Sequence, residues 1–267
     1  MYKLYYTTKD FKPYGNSVEK VPLLVKIQDM SFEIIPTKWF FYLALNSGNT
    51  TSPETWRSYA EAVYDWFQTC AINKWQWKEV TREHLLAYKN NMLTNNSSHN
   101  RPYSKNTING YLKRICLFYE WCFKNKYIEQ LPFQKEEIHN RTDINDSKFL
   151  AHLKTKNVIY KNDLIVKNSK KIPHCLTSKE LNSFLNQLEK RDQLIVKWSV
   201  MTGIRRKEVL GLKITDLPNQ LNNDAIQKIE ISITKGNKAR AIFVPLSLLD
   251  ETNEYIKYQG TPDDILL

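Results

Sequence analysis

Two long segments fix most of what this chain can become. Over residues 51–70 the apolar residues Trp56, Tyr59, Ala60, Val63, Trp66, Phe67 and Cys70 recur at i, i+3, i+4, i+7. Over 104–125 the residues Ile108, Tyr111, Leu112, Ile115, Phe118, Tyr119 and Cys122 do the same. That spacing lines one face of a helix, and a long apolar face must be covered by another element. Ser104 to Asn125 is therefore expected as one helix. Thr51-Ser-Pro-Glu opens the other, with Thr51 and Glu54 able to form a capping box and Pro53 suited to the first turn. A shorter helix is expected from Pro36 to Asn46, closed by Gly48, and another from a Thr81 cap to about Leu93. The polar stretch Asn95–Arg101 reads as a loop. Four helices with connected apolar faces make a compact bundle over residues 36–130.

On either side of the bundle the pattern changes. Residues 1–35 read as an arm, with short strands possible at Val21–Ile27 and Ser31–Ile35. Residues 131–175 are polar, rich in Asn and Lys, and weakly periodic, with one short helix expected near Lys148–Leu153; a stretch this long without structure separates domains. A second domain is expected over 176–267. Thr177-Ser-Lys-Glu180 is a capping box for a helix to about Leu188, and Asp192–Met201 is a largely apolar helix broken at Thr202-Gly203-Ile204-Arg205. A helical turn resumes over Arg206–Leu212. Ile226–Thr234 alternates as a strand, Ala239–Pro245 is its partner, and Lys235-Gly236-Asn237-Lys238 is the tight turn between them. Ser247–Tyr258 closes the chain as a helix. The fold class is mainly α with a small β-hairpin or sheet.

The chain has 267 residues, 42% hydrophobic and 12% aromatic, which is enough for a real core and excludes general disorder. Its longest apolar run, Trp39–Leu45, is too short for a membrane span, and the first residues lack the apolar segment of a secretion signal. Cys70, Cys116, Cys122 and Cys175 form no Cys-x-x-Cys pair; they read as reduced core thiols of an intracellular, cytoplasmic protein. The seven glycines build no Gly-rich phosphate loop, so nucleotide-driven chemistry lacks its usual signature.

The formal charge of +11 suggests a polyanionic partner, because clustered cations release counterions from phosphate. Residues 101–135 hold Arg101, Lys105, Lys113, Arg114, Lys124, Lys126 and Lys135 against Glu120 and Glu129; a second group runs from Lys154 through Lys170 and Lys171 to Lys179. For any single lysine a solvated face or loop is the plainer reading. Together they suit contact with a duplex backbone. The candidate DNA-binding residues are Arg57, Lys105, Lys113, Arg114, Lys170, Lys171, Lys238 and Arg240.

The sharpest local signal is Thr202-Gly-Ile-Arg-Arg-Lys-Glu-Val-Leu-Gly-Leu-Lys-Ile-Thr-Asp216. Thr-Gly at a helix end puts Arg205 at a bend, where a guanidinium can give two parallel hydrogen bonds to a phosphate. Glu208, one turn on, can steady it. Read without context, the stretch is a helix–turn–helix corner with surface charges. It nevertheless resembles the first catalytic-arginine box of the tyrosine recombinases, the phage-integrase family: Arg205 matches the first arginine and Glu208 its acidic partner. Thr234-Lys-Gly-Asn-Lys-Ala-Arg-Ala-Ile-Phe-Val-Pro245 resembles the family's catalytic hairpin, with Lys235 at the lysine position. The bundle at 36–130 is similar, less specifically, to the family's core-binding domain.

The resemblance implies a helical, SAM-like core-binding domain plus part of an α+β catalytic domain, gripping a double-stranded recombination site as a C-shaped clamp. It implies site-specific DNA recombination or integration without a metal or other cofactor. A tyrosine attacks a backbone phosphate, forms a 3′-phosphotyrosyl link and releases a 5′-hydroxyl. Arginines stabilise the charge that develops on the non-bridging oxygens, a lysine with lowered pKa protonates the leaving oxygen, and the covalent link conserves the bond energy. Arg205 would bind the scissile phosphate, Lys235 would act as general acid and Glu208 would hold Arg205. Self-association on DNA is the family's expectation, since strand exchange needs paired sites.

The sequence departs from the family downstream of the hairpin. His84, His99, His139, His152 and His174 all precede Arg205, and none begins His-x-x-Arg. Tyr255 and Tyr258 do not match the nucleophile's position and read as packing or surface residues, so this chain is expected to bind DNA and to be inactive alone as a recombinase. Two explanations fit: a piece or partial copy of a full recombinase, or a natural short relative that binds DNA without cutting it. The abrupt apolar ending Thr261–Leu267 favours the first. A metal-dependent nuclease is disfavoured because Asp216, Asp224 and Asp250 are dispersed, and zinc because Cys and His never pair at ligand intervals. The competing non-enzyme reading is a DNA-binding regulator that places the helix at 51–70 or 104–125 in a major groove.

Overall fold

The computed structural model describes residues 1–12, 18–46, 52–95, 102–139, 158–162, 164–167, 172–218, 224–231 and 239–259. The chain divides into two compact units, Met1–Lys170 and Lys171–Leu267.

The first unit is built on four helices: α1 (Ile34–Leu45), α2 (Pro53–Ile72), α3 (Arg82–Thr94) and α4 (Lys105–Lys124). Local chemistry sets their starts. Ser52 accepts the Thr55 N–H at 3.3 Å and Pro53 occupies the first turn of α2. The cap thus falls on Ser52, which is extended and places its Oγ over the first turn; Thr51 lies outside the described residues. At α3 the Thr81 N–H donates to His84 Nδ1 at 3.0 Å, so a histidine closes the box where a glutamate is usual. Ser104 accepts the Thr107 N–H at 3.0 Å at the head of α4.

The stripes on α2 and α4 face each other, and Trp66, Phe67, Phe118 and Tyr119 are among the largest fully buried side chains. Tyr59 and Tyr111 sit half-buried at the edge of this core. Phe118 packs edge-on against Phe67 (5.9 Å between ring centroids) and Trp39 of α1 (5.4 Å). Tyr119 wires the centre: its hydroxyl accepts from Trp66 Nε1 at 2.8 Å and donates to the Trp77 carbonyl at 2.8 Å. Each buried ring of this size contributes roughly 2–3 kcal/mol of transfer free energy.

Residues 1–35 do not form a separate arm. β1 (Tyr2–Tyr6) pairs antiparallel with β2 (Pro22–Lys26), Leu4 opposite Leu24, and Val21 and Leu24 are fully buried in the helical core. Gln68 of α2 holds the main chain of Tyr2 from both sides, accepting its N–H at 3.0 Å and donating to its carbonyl at 3.1 Å. The apolar run Val21–Val25 drives this docking. The strand expected over Ser31–Ile35 shrinks to a single bridge between Phe32 and Val25, because the chain turns into α1 at Ile34.

The segment expected as a linker is also partly built in. β3 (Lys135–His139) pairs antiparallel with β4 (Val158–Asn162), and Phe133 and Leu164 are buried in the first unit's core. The helix expected near Lys148–Leu153 lies outside the described residues. Cys70, Cys116 and Cys122 are buried as expected of core thiols, and burial pushes Cys70 and Cys122 up to about 12. Cys175 is exposed, since it precedes the first helix of the second unit.

In the second unit α5 (Ser178–Leu185) begins with the expected box: the Thr177 N–H donates to Glu180 at 2.8 Å. It is followed by α6 (Lys190–Thr202), the single turn α7 (Arg206–Val209), a 3₁₀ turn (Ile214–Asp216), β5 (Ile226–Ile231), β6 (Arg240–Pro245) and α8 (Leu246–Gln259). β5 and β6 form an antiparallel hairpin, Ile226 opposite Pro245 and Ile231 opposite Arg240. Both alternate: Gln227, Ile229, Ile231, Ile242 and Val244 face inward, and Ile226 and Phe243 lie exposed on the other face. The core joins these inward residues to Leu194, Trp198, Val209, Leu248 and Leu249. Trp198 Nε1 donates to Thr252 Oγ1 of α8 at 3.0 Å, and Lys197 pairs with Glu251 at 2.6 Å.

The protein is thus mainly helical, with three two-stranded antiparallel pairs among the described residues. Among those residues no helix is long and apolar enough to cross a membrane.

Candidate functional site

The bend after α6 is made by two residues. Thr202 donates its hydroxyl to the Trp198 carbonyl at 2.6 Å, and Gly203 takes the left-handed conformation at φ 67°. A Cβ at Gly203 would meet nothing within 4 Å, so glycine is needed for its backbone freedom alone. Ile204 then plugs into the core and fixes the turn's exit. Arg205 follows at the N-cap position of α7, extended at φ −77° and ψ 152°.

Glu208 lies at the third position of α7 and is 1% exposed. Its carboxylate accepts three donors. Oε2 takes the Arg205 N–H at 2.9 Å, Oε1 takes Arg205 Nη1 at 2.8 Å, and Arg240 Nη2 of β6 reaches Oε2 at 2.6 Å. Burial alone would raise this carboxyl. The Arg240 hydrogen bond, the Arg205 N–H and the Arg205 guanidinium outweigh it and hold Glu208 down at about 2. One buried anion therefore anchors two guanidinium groups, and the trio keeps a net positive charge. The Arg205 side chain is still 60% exposed. A planar fork fastened at one edge and open to solvent elsewhere is suited to a phosphate or carboxylate oxygen pair.

Of the residues singled out from the sequence, Arg205, Glu208 and Arg240 come together in this cluster. Lys235 and Lys238 lie outside the described residues, as do Lys170 and Lys171. In the first unit Lys105 and Lys113 are exposed on α4. Arg57 is tied to Glu61 one turn along α2 at 2.8 Å, and the Arg114 guanidinium sits 5.8 Å from the centroid of the Tyr59 ring. Tyr255 is buried in the second unit's core and Tyr258 is 86% exposed.

The sequence reading placed Arg240 among the phosphate contacts and missed its pairing with Glu208. The signal was present. Arg240 shares strand parity with Ile242 and Val244, which face inward, and a cation on the inward face of a strand requires a counter-ion.

Comparison with known proteins bears on both units. Residues 37–138 match the phage integrase SAM-like domain, and residues 174–267 match the phage integrase family. The tyrosine recombinase XerH of Campylobacter jejuni is 29% identical over 105 residues, a stretch covering 36% of this chain and 28% of XerH. XerA recombinase is similar at 20% identity and a TM-score of 0.31, over 85% of this chain and 66% of its own. The integrase of transposon Tn1549, solved in complex with circular intermediate DNA, is similar at 15% identity and a TM-score of 0.47, over 84% of this chain and 63% of its own. The chain thus spans only part of the length of each of these relatives. Residues 37–138 and 174–267 match two models of one family and together make up most of the sequence, so this chain belongs to the phage integrase family, the tyrosine recombinases.

Proposed function

We propose that the chain acts in site-specific DNA recombination or integration, with double-stranded DNA as its partner. The observation that carries this reading is the Arg205 guanidinium, fastened to buried Glu208 and still largely open to solvent. Arg205 binds the non-bridging oxygens of the scissile phosphate, where negative charge grows during transfer to a tyrosine. Glu208 holds Arg205 in place. Lys235, between β5 and β6 in the sequence, donates a proton to the departing 5′-oxygen. Arg57, Lys105, Lys113, Arg114, Lys170, Lys171 and Lys238 contact the duplex backbone, and the net charge of +11 favours that association. Protomers self-associate on paired sites in the cytoplasm, at the nucleoid.

Tyr255, the first tyrosine after the hairpin strands, is packed in the core. That burial favours a second reading, a DNA-binding regulator on the same fold that does no chemistry. A duplex nicked so that cleavage cannot be reversed separates the two. A protein–DNA adduct that survives a denaturing gel, formed by this chain or by a longer version that supplies a family-type tyrosine, is expected of a recombinase and would refute the regulator. Duplex affinity that is insensitive to salt and unchanged by Arg205→Ala would sink both.

A further inference from the structure

We infer that Arg240 is a positioning residue, which fixes the Arg205 guanidinium through the carboxylate they share rather than by touching nucleic acid. The inference rests on the recombinase reading of Arg205. Three observations carry it.

First, the geometry is that of a bridge. Arg240 Nη2 and the Arg205 N–H both donate to Glu208 Oε2, while Arg205 Nη1 takes Oε1. Both carboxylate oxygens are thereby engaged, and the orientation of the carboxylate decides where the Arg205 fork can lie. Second, Arg240 lies on the inward face of its strand with its side chain 35% exposed. It shares a face with Ile242 and Val244, and its Nε is buried without a hydrogen-bond partner among the described residues. A guanidinium that leaves one donor sealed in the fold is poorly disposed to serve as a two-pronged phosphate contact. Third, Arg240 stands opposite Ile231 as the last pair of the β5–β6 ladder. The clamp therefore joins this end of the described ladder to the turn that bears Arg205.

Without Arg240, Glu208 is a buried carboxylate with a single guanidinium, itself more than half exposed. The carboxylate can then rotate toward solvent or take a proton, and Arg205 loses its fixed edge.

The test is made on the free chain. With nitrogen-15 labelling, the heteronuclear NOE of the Arg205 Nε–H reports whether that side chain is held. In wild type it should match the neighbouring backbone amides. In Arg240→Met it should fall toward zero while the amide signals of α6 and α8 stay in place, and Arg240→Lys should restore part of it. Should Arg240→Met fail to fold, Arg240→Gln replaces it, since its short amide stops short of Glu208. An Arg205 NOE unaffected by loss of the guanidinium overturns the inference.

A duplex-binding cycle separates this from the functional reading. If Arg205 grips phosphate, Arg205→Ala weakens binding to a random-sequence duplex roughly tenfold. Arg240→Met then costs a similar factor, and the double variant loses nothing more. Additive losses, with a further drop of about one in the salt slope, would make Arg240 a phosphate contact in its own right and also overturn the inference. If Arg205→Ala leaves affinity unchanged, the recombinase reading fails, and the NOE still decides whether the clamp exists.

Discussion

Asn109 on α4 holds the main chain of Val166 as a β-strand would. Its Nδ2 donates to the Val166 carbonyl at 2.9 Å and its Oδ1 accepts the Val166 N–H at 2.8 Å. The two residues are 57 positions apart, and the contact stitches residues 164–167 to the bundle beside buried Leu164. Asn109→Ala removes both bonds and leaves two half-buried backbone groups to find water. The expected cost is about 1–2 kcal/mol in urea unfolding, with loss of exchange protection at the Val166 amide. An amide that stays protected in the variant would contradict this role.

Glu208 makes a signed prediction about acid. Its carboxyl sits at about 2 in the fold against an ordinary 4.5, so the folded state binds this proton less readily than the unfolded chain. Its contribution to stability is complete above pH 4.5, shrinks as the pH falls, and is gone below about 2. Unfolding free energy of the second unit should therefore decline through that window, and Glu208→Gln should flatten the decline. An identical pH dependence in the variant would show that other groups set it.

Gly203 tests the bend on its own. Alanine there meets no atom but must hold a left-handed conformation, which costs an L-residue about 1–2 kcal/mol. Gly203→Ala should lower the melting temperature, and Gly203→Asn should lower it less, because asparagine tolerates that region. Equal loss in both variants would point to packing and away from backbone conformation.

Tyr119 tests the centre of the first unit. Its hydroxyl is the partner of both Trp66 Nε1 and the Trp77 carbonyl. Tyr119→Phe keeps the ring and orphans two polar groups, at an expected cost of about 2 kcal/mol. The indole environment of Trp66 changes with it, so the loss should be accompanied by a shift in tryptophan emission. A variant as stable as wild type would mean that water takes the hydroxyl's place.

What was legible in the sequence was what repeats or punctuates. The stripes on α2 and α4 announced themselves because burial selects apolar residues at helical spacing, and Thr177 with Glu180 marked the start of α5 because a cap needs those groups at that interval. The pair Arg205 and Glu208 was visible for the same reason, being three residues apart. Contacts between distant residues leave no fixed interval to read, and at most, as at Arg240, a strand parity that asks for a counter-ion without naming it. Gln68 gripping Tyr2, Asn109 gripping Val166 and Arg240 completing Glu208 span 66, 57 and 32 positions. In each case one polar side chain meets a partner that only the tertiary fold brings near. That is why residues 1–35 read as an arm and residues 131–175 as a linker, although both carry segments fastened to the bundle.

The indole of Trp198 and the hydroxyl of Thr252 lie 54 positions apart, with α7, the 3₁₀ turn and the whole hairpin between them. Vectorial synthesis delivers the first long before the second. On a nascent chain the Trp198 indole therefore has only water as acceptor until α8 has left the ribosome, and closure of this unit waits for translation to run past the hairpin.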